Sequence, residues 1–573
     1  MSKDTILGLN CSGFNSSCAF VREGKVLFAV EEERMIRQKR TRLFPKSGIQ
    51  YGFKKLGLEL EDLECIAIGW NPAINLEAFN GAHANNLRFL GELFCSAPLN
   101  LMSLQDRESG LHSSQCLALD NGKGINIHYV NHHLCHASSF YLSPFEDASI
   151  LTVDAFGEKQ CCTFAEAKNN SIEQIWSQEF PHSLGAFYST MTEFLGFRAQ
   201  SDEWKLMGAS SFGDPSRFLP KLREVFHLEK DGGFELDLRY FNFYQFHRPR
   251  RYTAKLEKLL EIEPLSSGLP LQQEHYDLAA AAQLVFEEIY LHLISSLQKK
   301  ANGQNLILSG GSALNSVANG KVLRESGFSE LFVPPVPDDS GISVGAALYV
   351  QNMILAKGSR VSMSNNYWGP EFSSDKIEKE LHNYKISHKK TDSIESDVAR
   401  LIADGKIVGW FQGALEFGDR ALGNRSILAD PRDPEMKDKV NKTIKYRENF
   451  RPFAPSVLSE RASEFFTDLV ETPYMEKVLK IKDSLREILP AVTHVDGSCR
   501  LHTVEKSINP KFHKLISCFE EITQVPVLLN TSFNTNGEAM VCSPRDAIRT
   551  FYSSGLDVLA IGDFIIQKEA PIS

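Results

Sequence analysis

No stretch of the 573-residue chain approaches the 18 or so consecutive apolar residues of a membrane span. The opening residues, MSKDTILGLNCSG, lack the apolar core of a secretory signal. Cys-x-x-Cys spacing is also missing. The eleven cysteines are an odd number, and Cys161 and Cys162 are adjacent, so no disulfide framework suggests itself. They are expected to be reduced thiols of a cytoplasmic protein, and a structural zinc site is not expected. An excess of positive charge is lacking too. With 72 acidic against 62 basic residues the net charge is −10, which argues against sequence-independent nucleic-acid binding while leaving room for a small basic phosphate pocket. What is present is 42% hydrophobic residue content, enough to bury sizeable cores, in a chain too long for one core. Two domains are expected.

The segment VNHHLCHASSFY (residues 129–140) holds three histidines in five positions. On a helix the i, i+4 pair His132 and His136 shares one face. A His-x-x-x-His pair alone is weak evidence for a metal, because two histidines beside an apolar run look the same. Carboxylates from distant segments would have to converge on them.

An internal repeat supplies two such segments. TILGLNCSGFNSSCAF near the start and SILTVDAFGEKQCCTF at 149–164 align at a constant offset of 144. Ile6-Leu7 meets Ile150-Leu151, Asn10 meets Asp154, Gly13 meets Gly157 and Phe20 meets Phe164. Each reads as strand, small-residue turn, strand and hairpin, the second hairpin turning at residues 168–170. Small residues at Ser12, Gly13 and Gly157 let backbone N–H groups approach an anion. A third turn, Gly310-Gly311 in NLILSGGSALNSVANG, lies between a buried strand and a helix start. Asp338 and Asp339 then precede another helix. The arrangement is that of a duplicated actin/hexokinase-like α/β domain. His132, His136, Asp154 and Asp339 would make a mixed N/O set suited to Fe(II), Mn(II) or Zn(II), with Asp339 as a plain helix cap the alternative.

Six stretches together carry a family resemblance: VNHHLCHASSFY, ILTVDAFGE, DEWKLMGASSFG, LILSGGSALNSVANG, the long block VGWFQGALEFGDRALGNRSILADPRDPEMKDKVNKTIKYRENFRPFAPSVL, and VPVLLNTSFNTNGEAMVCSP. The chain resembles the NodU/CmcH carbamoyltransferases from its first strand to its last thirty residues. The resemblance implies an actin-like carbamoyl-transfer domain with a metal site over residues 1–355. A polar connecting segment would follow at 356–390, then a YrdC-like α/β domain forming carbamoyl-adenylate at 391–573. It implies that the C-terminal domain takes carbamoyl phosphate and Mg-ATP to carbamoyl-adenylate. The N-terminal domain would then pass the carbamoyl group to a hydroxyl of a small molecule, as in antibiotic or other natural-product biosynthesis. It also implies iron, held by His132, His136, Asp154 and Asp339, with His133 a packing or supporting residue.

Matching to the family places the ATP and carbamoyl phosphate site at Arg420, Lys445, Arg451, Arg500, Asn530 and Ser532, and the concentration of basic residues around them adds Arg447, with Asn534 close by. Polyanions need such fixed cations and directional donors. Arg425 and Arg432 are each expected to make a solvated surface ion pair instead. In the N-terminal domain the resemblance points to Asp154, Lys39 and Lys205 for catalysis, Glu203 matching the same segment as Lys205, for which a structural salt bridge is the alternative. The rest of residues 29–40 reads as an exposed face. Ser12, Asn15, Gly157, Gly310, Gly311 and Asn315 are expected to bind nucleotide or carbamoyl-adenylate.

The chain departs from the family in its first turn. A His-Asp pair is usual there, and here CSGFNSSC puts Phe14 or Asn15 in the histidine's place. Asp419 stands for a usual proline and His502 for a frequent glutamine. Residues 69–115 are expected to help line an acceptor pocket. The expected partners are a small-molecule hydroxyl acceptor, carbamoyl phosphate and ATP, with a homodimer allowed and neither nucleic acid nor membrane. Two rival readings are a tRNA-modifying threonylcarbamoyl-type transferase and a catalytically silent actin-like nucleotide-binding regulator.

Overall fold

The structure, a computed structural model, describes residues 4–11, 15–71, 112–245, 248–301, 303–358, 360–468 and 470–568. The chain divides into two compact units, Met1–Glu32 with Arg40–Met363, and Glu33–Lys39 with Ser364–Ser573.

In the first unit, β1 (Thr5–Asn10), β2 (Ser17–Arg22), β3 (Lys25–Glu31), β4 (Leu63–Ile68), β5 (His112–Ala118) and β6 (Gly124–Val130) form a sheet in the order β3-β2-β1-β4-β6-β5. A second sheet is built from β7 (Asp147–Val153), β8 (Gln160–Lys168), β9 (Ser171–Glu179), β12 (Asn305–Ser309) and β13 (Glu330–Phe332), in the order β13-β12-β7-β8-β9. Between β9 and β12 in sequence, β10 (Phe226–Leu228) and β11 (Phe234–Leu236) make a separate small hairpin.

Five strands correspond one to one between the sheets, with an antiparallel meander on one side and parallel crossovers on the other. The correspondence extends to register. Leu7 lies opposite Phe20 and Leu151 opposite Phe164, both related by the offset of 144. Even the register irregularity recurs, between Phe20 and Val21 in one repeat and between Phe164 and Ala165 in the other. A one-residue slip would turn every side chain to the opposite face, so agreement through a whole hairpin and its bulge is far more demanding than likeness between apolar strands. The expected duplication is therefore a property of the fold. The second hairpin closes as Lys168 pairs with Ser171 around a two-residue turn, with Asn169 at φ 58°.

The helix Gln273–Lys300 is long and apolar enough to cross a bilayer, with a mean hydropathy of 1.3 in its most apolar stretch. However, 72% of that stretch is buried within the unit, with Leu278, Val285, Ile289 and Leu293 fully enclosed, so its apolar character belongs to a core helix. The helix Ile342–Tyr349 packs by close backbone approach. A Cβ on Gly8 would stand 1.8 Å from the Ser343 carbonyl oxygen, and one on Gly345 would stand 2.0 Å from that of Cys135.

Residues 29–40 are the exposed face expected from their charge only at Gln38 and Lys39. Glu31, Glu32, Glu33 and Arg34 are buried. Glu32 accepts hydrogen bonds from the Ser47 and Gly48 amides at 2.9 Å, satisfying the start of the helix Lys46–Leu56.

The second unit is built on a mixed eight-stranded sheet in the order β14-β23-β22-β15-β16-β21-β17-β20. Its strands are β14 (Lys389–Lys390), β15 (Val408–Phe411), β16 (Arg425–Ala429), β17 (Ala454–Leu458), β20 (His502–Val504), β21 (Val527–Ser532), β22 (Val558–Ile561) and β23 (Phe564–Gln567), with β18 (Val478–Lys480) and β19 (Ser498–Arg500) as a side pair. The segment read as a connector, 356–390, is part of this unit from Ser364 onward. It contains the helix Ser374–Asn383, whose Ile377 and Leu381 lie in the unit's hydrophobic core. Polar composition disguised it, because only two apolar residues one turn apart face inward.

Arg425, expected at the surface, is fully buried. Its guanidinium lies 3.7 Å from the Phe411 ring centre and donates to the carbonyls of Gln412, Gly413, Asn424 and Pro370. The planar fork thus finds four backbone acceptors at depth. Arg432 does make the expected local pair, donating to both oxygens of Asp430.

Candidate active site

In the first unit the histidine segment is a short helix, His132–Ala137, with every residue buried. Asn131 caps it, its side-chain oxygen accepting from the Leu134 amide at 3.2 Å. Glu158, buried in the loop after β7, accepts from the His132 amide at 3.1 Å and from the Asn131 side chain at 3.0 Å. Burial pushes the Glu158 carboxyl up to about 7, against the opposing amide hydrogen bonds. The expected i, i+4 geometry brings the Nε2 atoms of His132 and His136 within 3.1 Å of each other.

Two carboxylates reach the same point. Asp154 follows the end of β7, and its Oδ2 lies 3.0 Å from His136 Nε2 and 3.5 Å from His132 Nε2. Asp339 Oδ1 lies 3.7 Å from His132 Nε2 and 3.9 Å from His136 Nε2. The local capping role falls to Asp338, which accepts from the Ser340 amide and leaves Asp339 turned to the cluster. One donor atom of each of the four residues lies within 4.8 Å of the other three.

Burial by itself would raise the Asp154 carboxyl, but hydrogen bonds from His132 and His136 outweigh it and hold it well below the usual range. Asp339 is pushed well up by burial and then by the charges of Asp154 and Asp338. Two imidazole nitrogens and two carboxylates crowded together can all present lone pairs at once only around a shared cation. The donor set therefore fits a first-row divalent ion.

The remaining residues singled out in this unit have varied environments. His133 uses both ring nitrogens, Nδ1 2.7 Å from Thr152 Oγ1 and Nε2 3.0 Å from the Gln160 carbonyl, and burial lowers it to about 3. It is a neutral packing histidine. Gly157 leaves room for the neighbouring helix, since a Cβ there would meet the His133 ring at 2.9 Å. The Gly310 amide donates to the Pro337 carbonyl, and the Gly311 amide donates to Asp154 Oδ2 at 3.1 Å. This turn, read from sequence as a phosphate cradle, thus orients the Asp154 carboxylate. Asn315 caps the helix Ser316–Glu325 and exchanges two hydrogen bonds with Gln283. Lys205 pairs with Asp202 at 3.3 Å and lies over the rings of Phe197 and Trp204, while Glu203 accepts from Ser189 Oγ. Asn15 is buried at φ 49°. Ser12, Gly13, Phe14 and residues 72–111 of the expected acceptor pocket lie outside the described residues.

The second unit holds the cationic set. Lys445 is buried, its Nζ donating to the Ser532 and Asn534 carbonyls at 2.5 and 2.9 Å and to Asn534 Oδ1 at 2.8 Å. Burial, then Arg447, Arg451 and Lys39, hold the Lys445 ammonium well below its ordinary range. Arg447 is depressed by burial and by Arg451 and Arg500, and Arg500 by burial and by Arg420 and Arg451, with Asp419 opposing. The six cations therefore share one field, and Lys39 belongs to it, being part of this unit rather than the first. Asn530 is buried on β21, its amide donating to Ser456 Oγ and the Ala421 carbonyl, while its Oδ1 has no protein donor. Ser456 Oγ in turn lies 2.9 Å from Nδ1 of His502, which burial lowers to about 3. Sequence reasoning missed Arg37, which donates to the Ala539 and Met540 carbonyls and pairs with Glu538 at 3.1 Å. Only its closeness to Lys39 hinted at it.

The family model described as carbamoyltransferase N-terminus matches residues 5–348, and that described as carbamoyltransferase C-terminus matches residues 399–568. An uncharacterised protein of Synechocystis is 35% identical over 99% of this chain and 97% of its own length. The nodulation protein NolNO of Sinorhizobium fredii is 37% identical over 97% of this chain and 79% of its own length. A 3'-hydroxymethylcephem-O-carbamoyltransferase of Amycolatopsis lactamdurans is 34% identical over 50% of this chain and 54% of its own length. With both family models matched in order across nearly the whole chain, this protein belongs to the carbamoyltransferase family and is a carbamoyltransferase enzyme.

Proposed function

We propose that the enzyme is an ATP-dependent O-carbamoyltransferase acting in two steps. Carbamoyl phosphate, ATP and water give carbamoyl-adenylate, phosphate and pyrophosphate. A small-molecule hydroxyl then takes the carbamoyl group and releases AMP. The observation that carries this reading is the gathering of Lys445, Arg447 and Arg500 with Arg420, Arg451 and Lys39 in the second unit, where burial and the neighbouring positive charges hold the first three below their ordinary range. Buried like charges are costly unless an anion compensates them, and a phosphate-rich substrate pair supplies that charge. Asn530 Oδ1, buried without a protein donor, suits a ligand N–H.

In the first unit His132, His136, Asp154 and Asp339 would hold a divalent ion, Fe(II) by the family resemblance. Such an ion supplies Lewis acidity and lowers the pKa of a hydroxyl bound to it. Asp154 is fixed by the Gly311 amide and the two imidazoles, so it is the pre-organised carboxylate of the transfer site. The usual His-Asp pair is replaced in the first turn, so an ion held by His132, His136, Asp154 and Asp339 would supply the acidity that the acceptor hydroxyl needs, with Asp154 keeping it in place. Lys205 is braced by Asp202 and two aromatic rings, which supports a positioning role. The Amycolatopsis relative makes a hydroxymethyl-bearing small molecule one acceptor class to test, beside sugar hydroxyls.

The test is pyrophosphate exchange into ATP by the full chain. Exchange that requires carbamoyl phosphate, followed by mass gain of one carbamoyl group in an alcohol, is the expected result. Exchange independent of carbamoyl phosphate, or none at all, overturns the reading.

A further inference from the structure

The described residues bring together one other set of nitrogen and oxygen donors, far in sequence from His132 and its partners. Glu378 and His382 stand one turn apart on the helix Ser374–Asn383, and His388 lies on the turn that follows. One donor atom of each falls within 4.8 Å of the other two. Their support is rigid on both sides. Ile377 and Leu381 anchor the helix in the unit's core, and β14 begins directly after His388 and pairs with β23.

The tautomer of His388 is decided by its surroundings. Nδ1 lies 2.8 Å from the Ile386 carbonyl, which can only accept, so Nδ1 carries the proton and Nε2 offers a lone pair. A backbone carbonyl holding the far nitrogen is the usual support of a metal-bound imidazole. The ring is further fixed by edge contacts with Phe564 at 5.2 Å and with His382 at 5.4 Å. Nearby ammonium groups are engaged elsewhere, Lys389 with Asp397 and Lys390 over the Phe564 ring.

We propose that Glu378, His382 and His388 form a second divalent-metal site, for zinc or a neighbouring first-row ion. Two imidazoles and one carboxylate match such ions, and the partly exposed position leaves the other coordination positions to water. The ion would tie the end of the helix Ser374–Asn383 to the start of β14, closing the turn around Lys385, which sits at φ 54°. The chain's lack of Cys-x-x-Cys spacing does not bear on it, since no donor is sulfur. Nor does it depend on the carbamoyl reaction, so either can fail without the other.

The full-length protein, stripped with a chelator and dialysed, is titrated with zinc against a chromophoric indicator. Two classes of site are expected. His388→Asn and Glu378→Gln should each weaken one class at least roughly tenfold and leave the other unchanged. His136→Ala should do the reverse. In the His136→Ala background, zinc should still raise the thermal midpoint, and adding His388→Asn should abolish that rise. Unchanged zinc binding in both His388→Asn and Glu378→Gln overturns the proposal. So does a loss no greater than that caused by His227→Asn, an exposed histidine outside the set.

Discussion

Gly345→Ala tests how the first unit assembles its metal ligands without touching any of them. The helix Ile342–Tyr349 follows the turn Asp339–Gly341, and Gly345 presses it against the Cys135 carbonyl, in the middle of the segment that bears His132 and His136. An added Cβ would lie 2.0 Å from that oxygen and 2.8 Å from the carbonyl carbon, where real contacts stay above 3.0 Å. The two segments must therefore separate by about 1 Å. Overpacking of this kind costs about 1–3 kcal/mol, which a modest fall in thermal midpoint would register. The effect on metal binding should be larger in proportion. Ligand distances tolerate deviations of roughly ±0.2 Å, so a shift of that size takes Asp339 out of reach. The expected loss of affinity is on the order of 10–100-fold, measured by competition with an indicator on folded protein. Unchanged affinity in a folded Gly345→Ala variant refutes the claim that this contact sets the ligand geometry.

Further outcomes follow from other sites. Arg425→Leu should lower stability by about 3–5 kcal/mol, because four buried carbonyls lose their donor; chemical denaturation of wild type and variant measures it. Arg451→Ala should slow adenylate formation on the order of tenfold to a hundredfold, since a charge-assisted contact contributes about 1.5–3 kcal/mol, read by pyrophosphate exchange. His502 is held down to about 3 by burial, while the unfolded chain titrates near 6.5. The unfolded state then binds more protons between those values, so stability is full above pH ~6.5 and falls as pH drops towards 3, by up to about 1.4 kcal/mol per unit. His502→Gln should flatten that dependence of the thermal midpoint on pH.

Much of the fold could be read in advance because the repeat offset of 144 fixed strands, hairpins and turn together. The histidine pair was legible because helical spacing alone brings two imidazoles to one face. Asp339 could be named with them only beside the alternative of a plain cap, since an aspartate before a helix has the same appearance whether it caps or turns away, and here Asp338 does the capping. Glu158 was invisible for a similar reason, being one glutamate in a loop whose partners come from the fold. The Gly310-Gly311 turn was legible only as a pair of open amides, because glycine does not say what takes them, and in the structure Pro337 and Asp154 accept them. Arg425 misled because charge in a basic stretch carries no information about depth.

The division of labour between the units is tested most directly by carbamoyl-phosphate-dependent pyrophosphate exchange in Asp154→Ala, with Arg451→Ala beside it. Asp154→Ala should keep exchange near the wild-type rate while losing transfer to any acceptor, and Arg451→Ala should lose exchange itself. If Asp154→Ala stops exchange as completely as Arg451→Ala does, activation and transfer are not separated as proposed.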